Sequence, residues 1–144
     1  MHALEKLFGK IFADNLPPLP PVAREWVVKI LPWILIVLGS LGFVAWLAAV
    51  GLFGHTQSAA LGFHRYAPSL LTAVIFYLFV PLLQLLAVAG GYLMLGRKRL
   101  GWRIAFYSLI LGLVIHILSL SLGGIIVNLI FAYLLFQIRP YYRT

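Results

Sequence analysis

The sequence predicts an all-α membrane protein. Four transmembrane helices, with both termini on one side, follow a short amphipathic interfacial helix and a proline-rich linker. Three observations predict this. Hydrophobic residues fill 63% of 144 positions and charged residues 10%, too apolar a balance for a soluble domain of this size. Apolar runs at about 31–53, 70–95, 102–118 and 122–138 each approach the roughly 20 helical residues that cross a hydrocarbon core of about 30 Å. Of 11 Lys and Arg, ten fall on one side of this four-span arrangement and only Arg65 on the other, while Glu5, Asp14 and Glu25 all precede the first run. Lys and Arg are retained on the cytoplasmic side, so both termini are expected there.

Backbone polar groups must pair internally in lipid, which makes the runs helices. A β-barrel would show short alternating segments instead. The first 20 residues carry no continuous apolar core or small-residue cleavage site, so they do not read as a cleavable signal peptide. The net charge of +8 is explained by cations that flank spans and meet anionic headgroups. Nucleic acid is therefore not an expected partner. With no cysteine in the chain, disulfides, iron–sulfur clusters and thiolate zinc sites are excluded.

The elements follow in order. Leu4, Leu7, Phe8, Ile11 and Phe12 recur at helical spacing, so residues 1–14 read as an amphipathic helix. It lies in the headgroup region or packs against a partner protein. Residues 15–21 hold adjacent prolines, which favour an extended, stiff linker. Pro21 fits the first turn of the next helix. Pro32 either kinks a helix running through 22–53 or restarts it at the interface. Trp26 and Trp33 suit an interfacial aromatic belt there. Ala45/Ala49 and Ala87/Gly91 are small-residue pairs that permit close helix approach. Pro81 frees a carbonyl near Tyr77, which predicts a kink in the second span.

Arg97, Lys98 and Arg99 form the basic connection to the third span, with Trp102 just inside it. Arg139 marks the return of the fourth span to the same interface. The 35 residues 104–138 would make a single helix of about 52 Å, too long for one crossing. Two short antiparallel helices joined by a tight glycine turn at 119–124 fit better.

Chemistry-bearing residues are few. His116 is the one histidine inside a span and shares a helical face with Ser108, Gly112 and Ser119. Asn128 shares a face with Gly124 and Ala132. Folding about 120–122 brings His116 and Asn128 within about a turn of each other. They either hydrogen-bond across the hairpin and fix its register, or belong to a site in which imidazole ligates a chlorin or haem metal or meets a quinone or lipid. Gln84, just past Pro81, is placed to bond a carbonyl the proline leaves free, or to serve the same site. His55 and His64, in the loop at 54–68, match no zinc spacing and read as solvated. No Asp or Glu lies in any span, so carboxylate-based proton or sodium coupling has no carrier.

Several short stretches carry a resemblance: NLPPLP at 15–20, LPW at 31–33, GWR at 101–103, FYS at 106–108 and FQIRPYY at 136–142. Together they resemble a loosely defined set of small four-helix bacterial membrane proteins with no established activity. The likeness covers the two ends better than 54–77. It implies a bacterial inner-membrane protein and supplies no catalytic residue.

The expected function is that of a non-catalytic accessory subunit in a larger integral membrane complex, photosynthetic or respiratory, whose partners are other membrane subunits and lipids. The alternative is a small membrane protein that binds or transports an apolar ligand: a lipid, quinone, chlorin or carotenoid. An enzyme is not expected.

Overall fold

The computed structural model describes residues 9–10, 17–50 and 70–142. Leu4, Leu7, Phe8, Ile11 and Phe12 lie outside the described residues, as do His55 and His64. The elements are α1 (Pro21–Ala49), α2 (Leu70–Val74), a π-helical turn (Ile75–Phe79), α3 (Val80–Leu95), α4 (Arg99–Leu118), α5 (Leu122–Gln137) and a closing 3₁₀ turn (Arg139–Tyr141). No strand occurs among the described residues. Pro21–Ala49, Ile75–Leu95 and Arg99–Leu118 are long and apolar enough to cross a membrane, and Leu122–Gln137 is a shorter apolar helix. Their outer faces expose Leu41, Val44, Leu85, Val114 and Ile126, side chains suited to lipid rather than water.

The first helix begins well before the apolar run at 31–53. Pro21 sits in its first turn, and Pro32 lies buried in its interior without ending it. Apolar composition marks the part of a helix in lipid, whereas capping marks where the helix starts. The linker does more than space. Tyr133 Oη donates to the Pro17 carbonyl at 2.8 Å, and Leu19 N–H donates to Gln137 Oε1 at 3.3 Å. The proline segment is thereby strapped along the basic end of α5.

The helices pack in chain order: α1 on α3, α3 on α4, α4 on α5. Glycines set the spacing. A Cβ on Gly91 would lie 2.7 Å from the Pro32 carbonyl oxygen, and one on Gly90 2.8 Å from Ala105 N. The Ala87/Gly91 pair thus holds one close approach. The Ala45/Ala49 pair does not, because Ala45 faces outward; Gly39 and Gly42 meet α3 instead.

The core fills the basic half. Trp102 and Phe106 stack with ring centroids 5.7 Å apart, and Phe136 meets both edge-on, at 5.4 and 5.5 Å. Met94, Leu31, Leu135 and Ile138 close the cluster.

Two turns depart from expectation in the same way. Arg97, between α3 and α4, has φ 53°, and Leu120, between α4 and α5, has φ 51°. Each follows a helix whose end is closed by backbone bonds of the Schellman type: Lys98 N to Leu93 O at 3.3 Å, and Ser121 N to His116 O at 2.9 Å. The left-handed residue of the second hairpin is therefore a leucine and not the expected glycine. Gly123 and Gly124 belong to α5 itself, where Ser121 accepts a hydrogen bond from Gly124 N–H.

Pro81 shapes the second span through a widened turn. In the π turn Val80 N–H bonds to Ile75 O, and Pro81 has no N–H to offer. The Phe76 carbonyl draws a donor from another helix: Trp46 Nε1–H of α1 reaches it at 2.9 Å. This bond replaces the expected use of Gln84. Trp46→Phe is expected to cost about 1 kcal/mol in reversible unfolding in detergent, with the far-UV spectrum retained. No measurable loss would show that the indole bond is dispensable.

Candidate functional site

The site is built where glycines bring neighbouring helices close. In the α4–α5 hairpin, residues pair symmetrically about Leu120. Gly112 faces Asn128: a Cβ on Gly112 would lie 2.7 Å from Asn128 Nδ2. Gly124 faces His116: a Cβ there would be forced into the imidazole ring. On the other side, a Cβ on Gly42 of α1 would fall 2.6 Å from the Gln84 carboxamide carbon. Each of the three polar mid-span residues singled out in the sequence thus rests on a glycine of the neighbouring helix.

All three line one cleft. Its volume is about 140 Å³, and Gln84, His116 and Asn128 share its wall with Leu35, Leu38, Gly39, Leu83, Ala87, Ser108, Leu109, Gly112 and Phe131. It lies between α1 and α5, which are tied through the proline segment at the basic end but do not pack closely along their length. Among the described residues, His116, Asn128 and Gln84 make no side-chain hydrogen bond, so the expected His116–Asn128 bond is replaced by packing of each side chain on glycine. The Ser108 hydroxyl donates to the Ala105 carbonyl of its own helix at 2.8 Å. No charged residue lines it.

Its size bears on the ligands considered. A cavity of about 150 Å³ holds a molecule the size of benzene. One six-membered ring fits the enclosed part of the cleft.

The residues expected at the membrane interface fall at the basic end. Trp26 and Trp33 face outward from α1, 61% and 57% exposed. Arg97, Lys98 and Arg99 are exposed, and Arg139 is half-buried. Trp102 differs. It is buried, its Nε1–H donates to the Leu135 carbonyl at 2.8 Å, and the Arg139 guanidinium lies 5.3 Å from its ring centroid. The reason is local: Leu135 is in the last turn of α5, whose carbonyls run out of helical donors. Gly9, inside the predicted N-terminal helix, sits against Arg139 and Phe136. A hollow of about 300 Å³ at this end is lined by Arg99, Trp102, Arg139, Pro140 and Tyr142.

Sequence reasoning passed over Tyr142 as a functional group. Its hydroxyl is buried without a hydrogen-bond partner. Burial pushes the phenol up to about 12, against a smaller opposing pull from the Arg97 guanidinium. A raised folded-state value favours the neutral phenol. Its contribution to stability is present below the ordinary value near 10 and is lost as pH climbs toward 12. Melting temperature is expected to fall between pH 10 and 11.5, and Tyr142→Phe to reduce that fall. An unchanged alkaline profile in the variant would overturn the assignment.

The chain has no match among family models, curated proteins or solved structures.

Proposed function

We propose that the protein is a non-catalytic accessory subunit of a larger integral membrane complex, placed in a bacterial inner membrane with both termini cytoplasmic. One observation carries this reading. α5 has 16 residues, about 24 Å of helix, against a hydrocarbon core of about 30 Å. Among the described elements it packs chiefly on α4, and Ile126, Val127, Leu129 and Ile130 are left exposed. A short span relieves its mismatch by thinning the bilayer or by associating with other helices. A wide apolar face on such a helix favours association. The partners are other membrane subunits, with photosynthetic and respiratory assemblies the first classes to search. The cation count, ten against one, supports the orientation.

Purification of the native chain under mild detergent, followed by native mass spectrometry, tests the reading. A stoichiometric complex with other membrane proteins is expected; a solitary bundle overturns it. Cysteines placed at Ser58 and Thr144 test orientation. An impermeant reagent applied to intact cells is expected to label Ser58 alone, and labelling of Thr144 would reverse the topology.

A further inference from the structure

We propose that the cleft between α1 and α5 binds the ring of a quinone, taken in sideways from the lipid with its tail left between the two helices.

The argument starts from Asn128. It is only 9% exposed, lines the cleft, and makes no side-chain hydrogen bond among the described residues. Asn128 is buried as a residue and Gln84 and His116 are half-buried, so their polar atoms open onto the cleft, and donors withdrawn from water are costly to keep there unless something in the cleft bonds them. Packing alone does not require them. Gly112 and Gly124 would also accept the faces of apolar side chains, and leucine at these positions would avoid the penalty.

The chemistry of the lining narrows the class. Gln84 and Asn128 offer NH₂ donors, and a neutral imidazole offers one N–H. With no Lys, Arg, Asp or Glu in the wall, a phosphate or ammonium head has no counter-charge. A neutral acceptor is selected. The donors come from three different helices, Gln84 on α3, His116 on α4 and Asn128 on α5, so they approach a ring from more than one side. Carbonyl oxygens at opposite ring positions answer that arrangement. The volume of about 140 Å³ holds one ring, by comparison with the roughly 150 Å³ cavity that takes benzene. The remaining wall, Leu35, Leu38, Leu83 and Phe131, suits the ring faces. The proposal does not depend on the subunit reading: a solitary bundle would carry the same cleft, and failure to bind quinone would leave the assembly result untouched.

The test uses the full chain in lipid nanodiscs and a benzoquinone bearing a decyl tail. Saturable binding of one quinone per chain is expected, above partition into protein-free discs. Asn128→Leu, close in volume but without donors, is expected to weaken binding about tenfold, the loss of roughly one hydrogen bond to a buried acceptor. Decylbenzene, which lacks the carbonyls, is expected not to compete. Should Asn128→Leu fail to fold, the wild-type protein still decides. The carbonyl stretch of isotope-labelled quinone is expected to move to lower frequency on binding, as hydrogen bonds form. No saturable binding, equal competition by decylbenzene, or an unshifted carbonyl band would each overturn the proposal and leave bound water as the partner of these groups.

Discussion

Gly101→Ala is expected to cost about 3 kcal/mol and to leave little folded protein in mild detergent. Gly101 lies in the first turn of α4, pressed against the end of α3. A Cβ there would fall 2.5 Å from Met94 N and 2.6 Å from the Leu93 carbonyl carbon. Both are backbone atoms, so no rotamer change can relieve the clash. The helices would have to separate at the short turn that joins them, where Arg97 is already held at positive φ. Gly123→Ala supplies the contrast. Among the described residues no neighbouring side chain or facing backbone lies within 4 Å of a Cβ built at Gly123, and alanine is the better helix former by about 1 kcal/mol. The same chemical change is expected to be neutral or stabilising there. Thermal unfolding of the two variants side by side checks both. Equal stabilities would show that the α3–α4 corner is not in backbone contact.

Trp102→Ala carries the second large expected effect, about 4 kcal/mol. The indole is 2% exposed. It stacks on Phe106, receives the edge of Phe136, lies beneath the Arg139 guanidinium and bonds the Leu135 carbonyl. Hydrophobic transfer weighs less in lipid than in water, so the loss here is of packing and of the bond. Trp102→Phe separates the two. It keeps most of the ring contact and is expected to lose only the bond, about 1 kcal/mol. Chemical unfolding in detergent distinguishes the variants. If alanine and phenylalanine cost the same, the indole bond rather than packing holds the basic end together.

Hydrophobic spacing and charge placement by themselves determined a good deal. The apolar runs at 70–95, 102–118 and 122–138 coincide with helices to within a few residues, because an element that must hide its backbone from lipid writes its length in composition. The repeat of four on each helix was enough to bring His116 and Asn128 within about a turn of each other, but which glycine each side chain meets was settled only by the structure. Where α1 begins was less legible, because Arg24, Glu25 and Lys29 interrupt the apolar pattern without interrupting the helix.

What the tertiary structure alone decided concerns contacts between distant parts of the chain. The close approach of Gly42 to Gln84 and the α1–α5 gap bring Gln84 into the same cleft as His116 and Asn128. Nothing local connects residue 84 to residue 128. Trp46 as the donor to Phe76, and the burial of Trp102 against Leu135, depend on where helix ends and interrupted turns leave carbonyls in need of a donor. Leu120 at positive φ was also hidden, since nearby Gly123 and Gly124 are the cheaper residues for that conformation. The chain uses Gly124 to admit the His116 ring, and a glycine committed to packing is not available to the turn.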